Sequence, residues 1–259
     1  ESMTKDMTTG AITPLLVKFT IPLVLGNLFQ LTYNAADSII VGKFVGEDAL
    51  AAVGTSNPLM TLAILFINGL CLGAGILVST AYGAGDTQRV ERQVSTTAIA
   101  GTVFSLVFSA LCVLLATPLL RLMQVPTEIL PIAVQYLRIV FAGLIFTFFY
   151  NFLAATMRAL GDSKRPLYYL IVSSLVNVVL DVVFVGTLHM GVQGAALATV
   201  IAQGVSTVLA FFRLSRVQGP YRVTLRGICL DGPIMKEMVR IGLPSGVQNS
   251  VIAFANVIV

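Results

Sequence analysis

Seven apolar stretches joined by short polar connections constrain this chain before any other feature does. They cover residues 15–41, 50–82, 95–120, 132–157, 166–185, 193–212 and 239–259. A bilayer core takes about 20 apolar residues per helix. A backbone crossing it must also satisfy its own polar groups, which a helix does. The expected fold is therefore an all-α, polytopic transmembrane helix bundle. The second stretch is long enough to tilt or to project beyond the lipid. Only 11% of the residues are charged and 56% are hydrophobic, with mean hydropathy +0.91, against about 25% charged in soluble domains. The first stretch is too long for a secretory signal and opens a series.

Charge sets the orientation. With the N-terminus placed in the cytoplasm, the inside holds Lys5, Lys18, Arg89, Arg92, Arg158, Lys164, Arg165, Arg213, Arg216, Arg222, Arg226, Lys236 and Arg240. The outside holds only Lys43, Arg121 and Arg138. This asymmetry is the positive-inside signature of a plasma (inner) membrane protein with a cytoplasmic N-terminus. The net charge of +4 then reports topology and contact with anionic lipid rather than nucleic acid. Cys71, Cys112 and Cys229 are widely spaced and show no metal spacing or disulfide framework, and the first two read as small buried hydrophobes.

The seventh stretch repeats the first. Residues 16–34 (LVKFTIPLVLGNLFQLTYN) lie over 238–256 (MVRIGLPSGVQNSVIAFAN) without a gap. Pro22 meets Pro244, Asn27 meets Asn249, Asn34 meets Asn256 and Lys18 meets Arg240. Six helices are then the repeat unit, a transporter architecture. The expected organisation is a cytoplasmic N-terminus (1–14), a six-helix lobe (15–213), a cytoplasmic linker (214–238) and the first helix of a second lobe (239–259). The rest of that C-terminal lobe is expected to be a missing partner.

Of the twelve acidic residues, only Asp37 and Asp181 lie inside apolar stretches. An ionised Asp at mid-membrane costs about 2.5–3.5 kcal/mol on insertion scales, so each calls for a partner, a proton or a cation. Asn27, Gln30, Asn34 and Asp37 share one helical face, as do Ser173, Asn177 and Asp181. Interhelical hydrogen bonding, about 0.6 kcal/mol on average, accounts for Asn27 and Ser173. It accounts less well for the acids, because an amide would bond its neighbours at less cost. At 1.5 Å per residue, Asp37 lies roughly 33 Å along the first helix and Asp181 roughly 22 Å along the fifth. Tyr136 and Thr199, on helices that descend from outside, fall in the same depth band. Asp37, Asn177, Asp181, Thr199 and Tyr136 then form an oxygen-rich set suited to a hard monovalent cation, and a proton on the carboxylates offsets the same cost. Gln30, Tyr33 and Asn34 are the candidate cavity-lining residues.

No Lys, Arg or His lies deep in any stretch, so the cavity is expected to favour cations. Pro22 is a candidate hinge, with a static kink as the alternative. The GLCLGAG (69–75) and GAALA (194–198) runs fit close helix packing. No GxSxG, HExxH, P-loop or CxxC motif occurs, so neither catalysis nor a cofactor is expected.

The helix-1 pattern IPLVLGNLFQLTYNAADSIIVG, the RALGDSKRP loop, NVVLD and GVQGAALAT resemble the multidrug and toxic compound extrusion (MATE) transporters, in matching order and spacing over essentially the whole chain. The resemblance implies a twelve-helix exporter of two lobes working by alternating access. Such a protein exports organic cations and is driven by inward Na⁺ or H⁺. It also implies a coupling-ion site at Asp37, Asn177, Asp181 and Thr199, with Tyr136 nearby, and bending at Pro22. Two other readings stay open: a lipid-linked glycan flippase of the same superfamily, and a non-transporting membrane subunit.

Overall fold

The computed structural model describes residues 6–216 and 231–258; the side chains of Tyr33, Ala253 and residues 256–258 fall outside that description. Residues 217–230, the middle of the expected linker, lie outside it too. The helices are α1 (Ile12–Phe44), α2 (Glu47–Gly83), α3 (Thr87–Leu122), α4 (Leu130–Ala142), α5 (Leu144–Ala159), α6 (Lys164–Asp181), α7 (Val192–Ser215) and α8 (Gly232–Ile258). A π-helical turn, Val182–Thr187, continues α6. No strand occurs among the described residues.

Among the described residues, five elements are long and apolar enough to cross a membrane: α1, α2, α3, α6 with its π turn, and α7. The fourth stretch, expected as one helix over 132–157, is instead α4 and α5 bent by 43°. The bend falls at Gly143, where an added Cβ would sit 2.5 Å from Val200 Cγ2. Glycine there admits α7 against the backbone, and the chain turns at that contact. Counted as one, the pair makes a sixth span. The seventh stretch also forms a helix, α8. Lys236, Glu237 and Arg240 charge its first turns, and Ser245, Gln248, Asn249 and Ser250 interrupt the rest.

Helix ends follow local chemistry. Gly46, with φ 121°, turns the chain from α1 into α2, a conformation that glycine adopts without a Cβ clash. Asp86 caps α3 by accepting a hydrogen bond from Arg89 N at 3.0 Å, as an N-cap carboxylate does.

The main core fills the space between α2, α3, α4, α5 and α7, with Ile67, Leu120, Leu137, Phe141, Phe148, Met157 and Leu214 buried. A second cluster joins Val41, Val53, Tyr136, Val185 and Ala195 from α1, α2, α4, the π turn and α7. Outward-facing Leu106, Val107, Leu111 and Leu114 on α3 are exposed, as a lipid-facing surface requires.

Candidate cation site

The second cluster fixes the geometry of the expected site. Val41 lies one turn beyond Asp37, Val185 one turn beyond Asp181, and Ala195 one turn from Thr199, while Tyr136 belongs to the cluster itself. These apolar residues form a lid at the end of the bundle where α1 finishes, and the polar residues lie one turn beneath it. α6 and α7 run antiparallel, pinned by a hydrogen bond from Ser173 Oγ to the Ala202 carbonyl at 3.0 Å. One turn along from that bond, Asn177 comes level with Thr199.

Asp181 and Asn177 are fully buried, and the Asp37 and Asp181 carboxyls interact side chain to side chain. Both oxygens of Asp181, Asp37 Oδ1 and Asn177 Oδ1 are buried without a hydrogen-bond partner. Ionised carboxylates only accept, so the two acids cannot satisfy each other unless one holds a proton. Neither belongs to an ion pair: the described residues form two, Arg89–Glu237 and Arg165–Asp162. Buried polar atoms are hydrogen-bonded in the great majority of cases. The four orphaned oxygens of Asp37, Asn177 and Asp181 therefore call for a positive partner, and a monovalent cation or a proton would suit them.

Thr199 and Tyr136 sit at the margin. The Thr199 hydroxyl donates to the Ala195 carbonyl at 3.1 Å, which leaves its oxygen lone pairs to accept. The Tyr136 hydroxyl lies 3.9 Å from Met60 Sδ. The π turn begins directly after Asp181, and single π turns inside α-helices occur often at functional sites. Sequence reasoning missed that turn, Met60, and Ser56 on α2. The fully buried Ser56 Oγ bonds the Ala52 carbonyl at 2.8 Å. A serine two residues before Pro58 was the available signal.

The rest of the α1 stripe differs from expectation. Asn27, Gln30 and Asn34 are exposed, so Asn27 is not the buried interhelical bonder its spacing suggests. α1 rests mainly on α6 and leaves this face uncovered by the described residues. The Tyr33 side chain lies outside them. Pro22 is buried inside α1.

The MatE family model matches residues 22–183, which include Asp37, Tyr136, Asn177 and Asp181. The chain belongs to the MatE family. Its members are transporters, not enzymes. Similar relatives include the probable multidrug resistance protein YpnP of Bacillus subtilis, 31% identical over 253 residues, 95% of this chain and 55% of the relative. Another is the probable multidrug resistance protein NorM of Thermotoga maritima, 25% identical over 258 residues, 94% of this chain and 54% of the relative. The chain thus spans about half the length of the curated relatives it matches. A solved MOP superfamily transporter from Pyrococcus furiosus superposes with a TM-score of 0.86 at 28% identity, covering 96% of this chain and 56% of that one. An outward-facing MATE transporter gives 0.84 at 29% identity (91% and 52% covered), and an inward-facing one 0.79 at 29% identity (86% and 51% covered).

Proposed function

We propose that this chain forms the cation-coupling part of an antiporter that exports organic, cationic, amphipathic compounds by alternating access, driven by inward Na⁺ or H⁺. The supporting observation is the group of orphaned oxygens on Asp37, Asn177 and Asp181. A charge deficit of this kind binds an incoming cation, and a cation held more tightly in one conformation than another shifts the balance between them. Thr199 and Tyr136 complete the site, and Pro22 is the hinge through which α1 responds. The exposed face carrying Gln30 and Asn34 is the substrate side. It works opposite a second six-helix lobe, which the chain's half-length coverage of its relatives and the repeat of α1 in α8 both support. The protein lies in the plasma membrane with its N-terminus in the cytoplasm, following the Lys/Arg asymmetry.

The test uses the protein expressed from its native gene in inverted vesicles, with ethidium as the exported compound. Export is measured under an imposed Na⁺ gradient and, separately, an imposed pH gradient. One of the two should drive export, and Asp37→Asn or Asp181→Asn should abolish it while leaving membrane insertion intact. Wild-type export by either variant refutes the coupling role. Movement of a lipid-linked sugar in place of ethidium refutes the substrate class.

A further inference from the structure

Three arginines gather at the end of the bundle opposite the cation site, and two of them lack an acid. Arg158 lies in the last turn of α5, Arg165 in the first turn of α6 and Arg213 in the last turn of α7. The bond between Ser173 and Ala202 sets α6 against α7. Roughly 16 Å from it, toward the start of α6 and the end of α7, Asp162 comes level with Arg213. The turn joining α5 to α6 is tight: Gly161 N donates to the Arg158 carbonyl at 3.0 Å and Asp162 N to the Met157 carbonyl at 2.9 Å. The Tyr150 hydroxyl donates to the Pro166 carbonyl at 3.1 Å and lies within electrostatic reach of Arg158. Tyr169 lies within the same reach of Arg165, Arg213 and Asp162. These contacts tie the three guanidinium groups to one patch around the start of α6.

In the segments 158–165 and 213–216, Asp162 is the one acid, and it is already engaged. Its Oδ2 accepts from Arg165 Nη1 at 2.9 Å, and its Oδ1 accepts from the backbone N–H groups of Lys164 and Arg165 at 3.2 Å each. Arg158 and Arg213 are half-buried and belong to neither ion pair of the described residues. The Nε of each is enclosed with no acceptor. An arginine that only snorkels keeps its charged head in water. Here part of each head is shut away, which is unfavourable until an acceptor arrives. Lys164 and Arg216 add exposed positive charge. Tyr168 and Phe212 are exposed beside the patch, and Arg216 lies over the Phe212 ring at 5.9 Å. Exposed aromatic rings at the end of a span sit at the level of the lipid headgroups.

We propose that this patch binds the phosphate of an anionic phospholipid, with Arg158 and Arg213 gripping it and Arg165, held by Asp162, completing a positive wall. Guanidinium groups take phosphate oxygens through pairs of parallel hydrogen bonds, and an enclosed Nε with no acceptor is the donor such a pair uses. A headgroup with net negative charge is favoured over a zwitterionic one, because the patch has no free carboxylate to meet a choline. Basic pockets between membrane helices on the cytoplasmic side take lipid headgroups in this way. The leaflet follows from the orientation proposed above. The chemistry of the patch depends neither on that orientation nor on what the protein exports.

The experiment uses the protein expressed from its native gene, with Tyr168→Trp as its sole tryptophan, reconstituted into phosphatidylcholine vesicles. Phosphatidylglycerol with brominated acyl chains is mixed in at rising fraction, and quenching of the tryptophan reads its presence at the patch. Brominated phosphatidylcholine is the reference, so the ratio of the two reports preference rather than stability. Phosphatidylglycerol should be preferred, and Arg158→Gln and Arg213→Gln should each lower that preference by about fivefold, the weight of one cation near an anionic headgroup. Arg213→Lys keeps the charge and loses the fork, so it should lower the preference by less than Arg213→Gln. Lys164→Gln and Arg216→Gln remove exposed charge nearby and should leave the preference unchanged. Equal quenching by the two lipids overturns the proposal. So do equal losses in the lysine-164 and arginine-216 variants and in the Arg158 and Arg213 variants, because the attraction is then diffuse. Displacement of the lipid by millimolar inorganic phosphate at constant ionic strength overturns the phospholipid as the occupant.

Discussion

Asp181→Asn separates a functional acid from a structural one by the sign of its effect on stability. Both Asp181 oxygens are buried without partners, and so is Asp37 Oδ1. Leaving one buried polar atom unsatisfied costs about 1–3 kcal/mol, more when it is charged. Asparagine keeps the shape, removes the charge, and supplies an NH₂ that can donate to Asp37. Without a coupling ion, Asp181→Asn should therefore be more stable than wild type by about 1–3 kcal/mol, the gain expected when a strained functional site is relieved. At about 2–4 °C per kcal/mol for a protein of this size, thermal denaturation in detergent resolves the difference. The same assay, run as a Na⁺ titration at fixed pH and as a downward pH series without Na⁺, supplies the second half. Wild type should be stabilised in one series, by about 2.7 kcal/mol at a hundredfold excess of ligand over Kd, and the variant in neither. If Asp181→Asn were destabilised, the aspartate would be a structural hydrogen-bonding group. If it kept the wild-type ion response, the ion would bind elsewhere.

Two further substitutions calibrate that result. Ser173→Ala removes the α6–α7 bond to the Ala202 carbonyl and should lower stability by about 0.6 kcal/mol; the ion-dependent shift in Tm should remain, because Ser173 lies a full turn from Asn177. Gly101→Ala places a Cβ against the Phe148 ring in the main core and should cost about 1–3 kcal/mol as overpacking, read by the same denaturation assay.

The spans were legible because their length and lack of charge admit few alternatives, and Asp37 and Asp181 stood out because a lipid-embedded acid needs something to offset its charge. Rise per residue placed Asp37, Asp181, Tyr136 and Thr199 at one depth. It could not say which oxygens would lack partners, since that depends on how α1 rotates against α6. The bend at Gly143 was hidden because LRIVFAGLIF reads as unbroken apolar helix, and its cause is a valine far along the chain. The π turn after Asp181 was hidden for a related reason: VVFVGT has no polar mark, and its hydrogen-bond shift is decided by packing. Gly69, Gly73, Gly242 and Gly246 announce close contact but do not name one another. Asn27, Gln30 and Asn34 showed a shared face correctly, whereas what covers that face is a property of the neighbours.

α2 reaches from the cluster over the candidate site, where Ala49 and Val53 pack with Val41 and Val185, to its close contact with α8 at Gly69 and Gly73. From Ala49 to Gly73 is roughly 36 Å of helix. Between them stands Pro58, which has no N–H to offer the Gly54 carbonyl and so loosens the helix at that level. Pro58→Ala restores the missing hydrogen bond. It should leave the ion-dependent rise in Tm intact, because Pro58 lies more than one turn below Val53 and touches none of the orphaned oxygens. If the alanine variant lost that rise, the shape of α2 at position 58 would be part of the site's geometry, and the oxygens of Asp37, Asn177 and Asp181 alone would not account for ion binding.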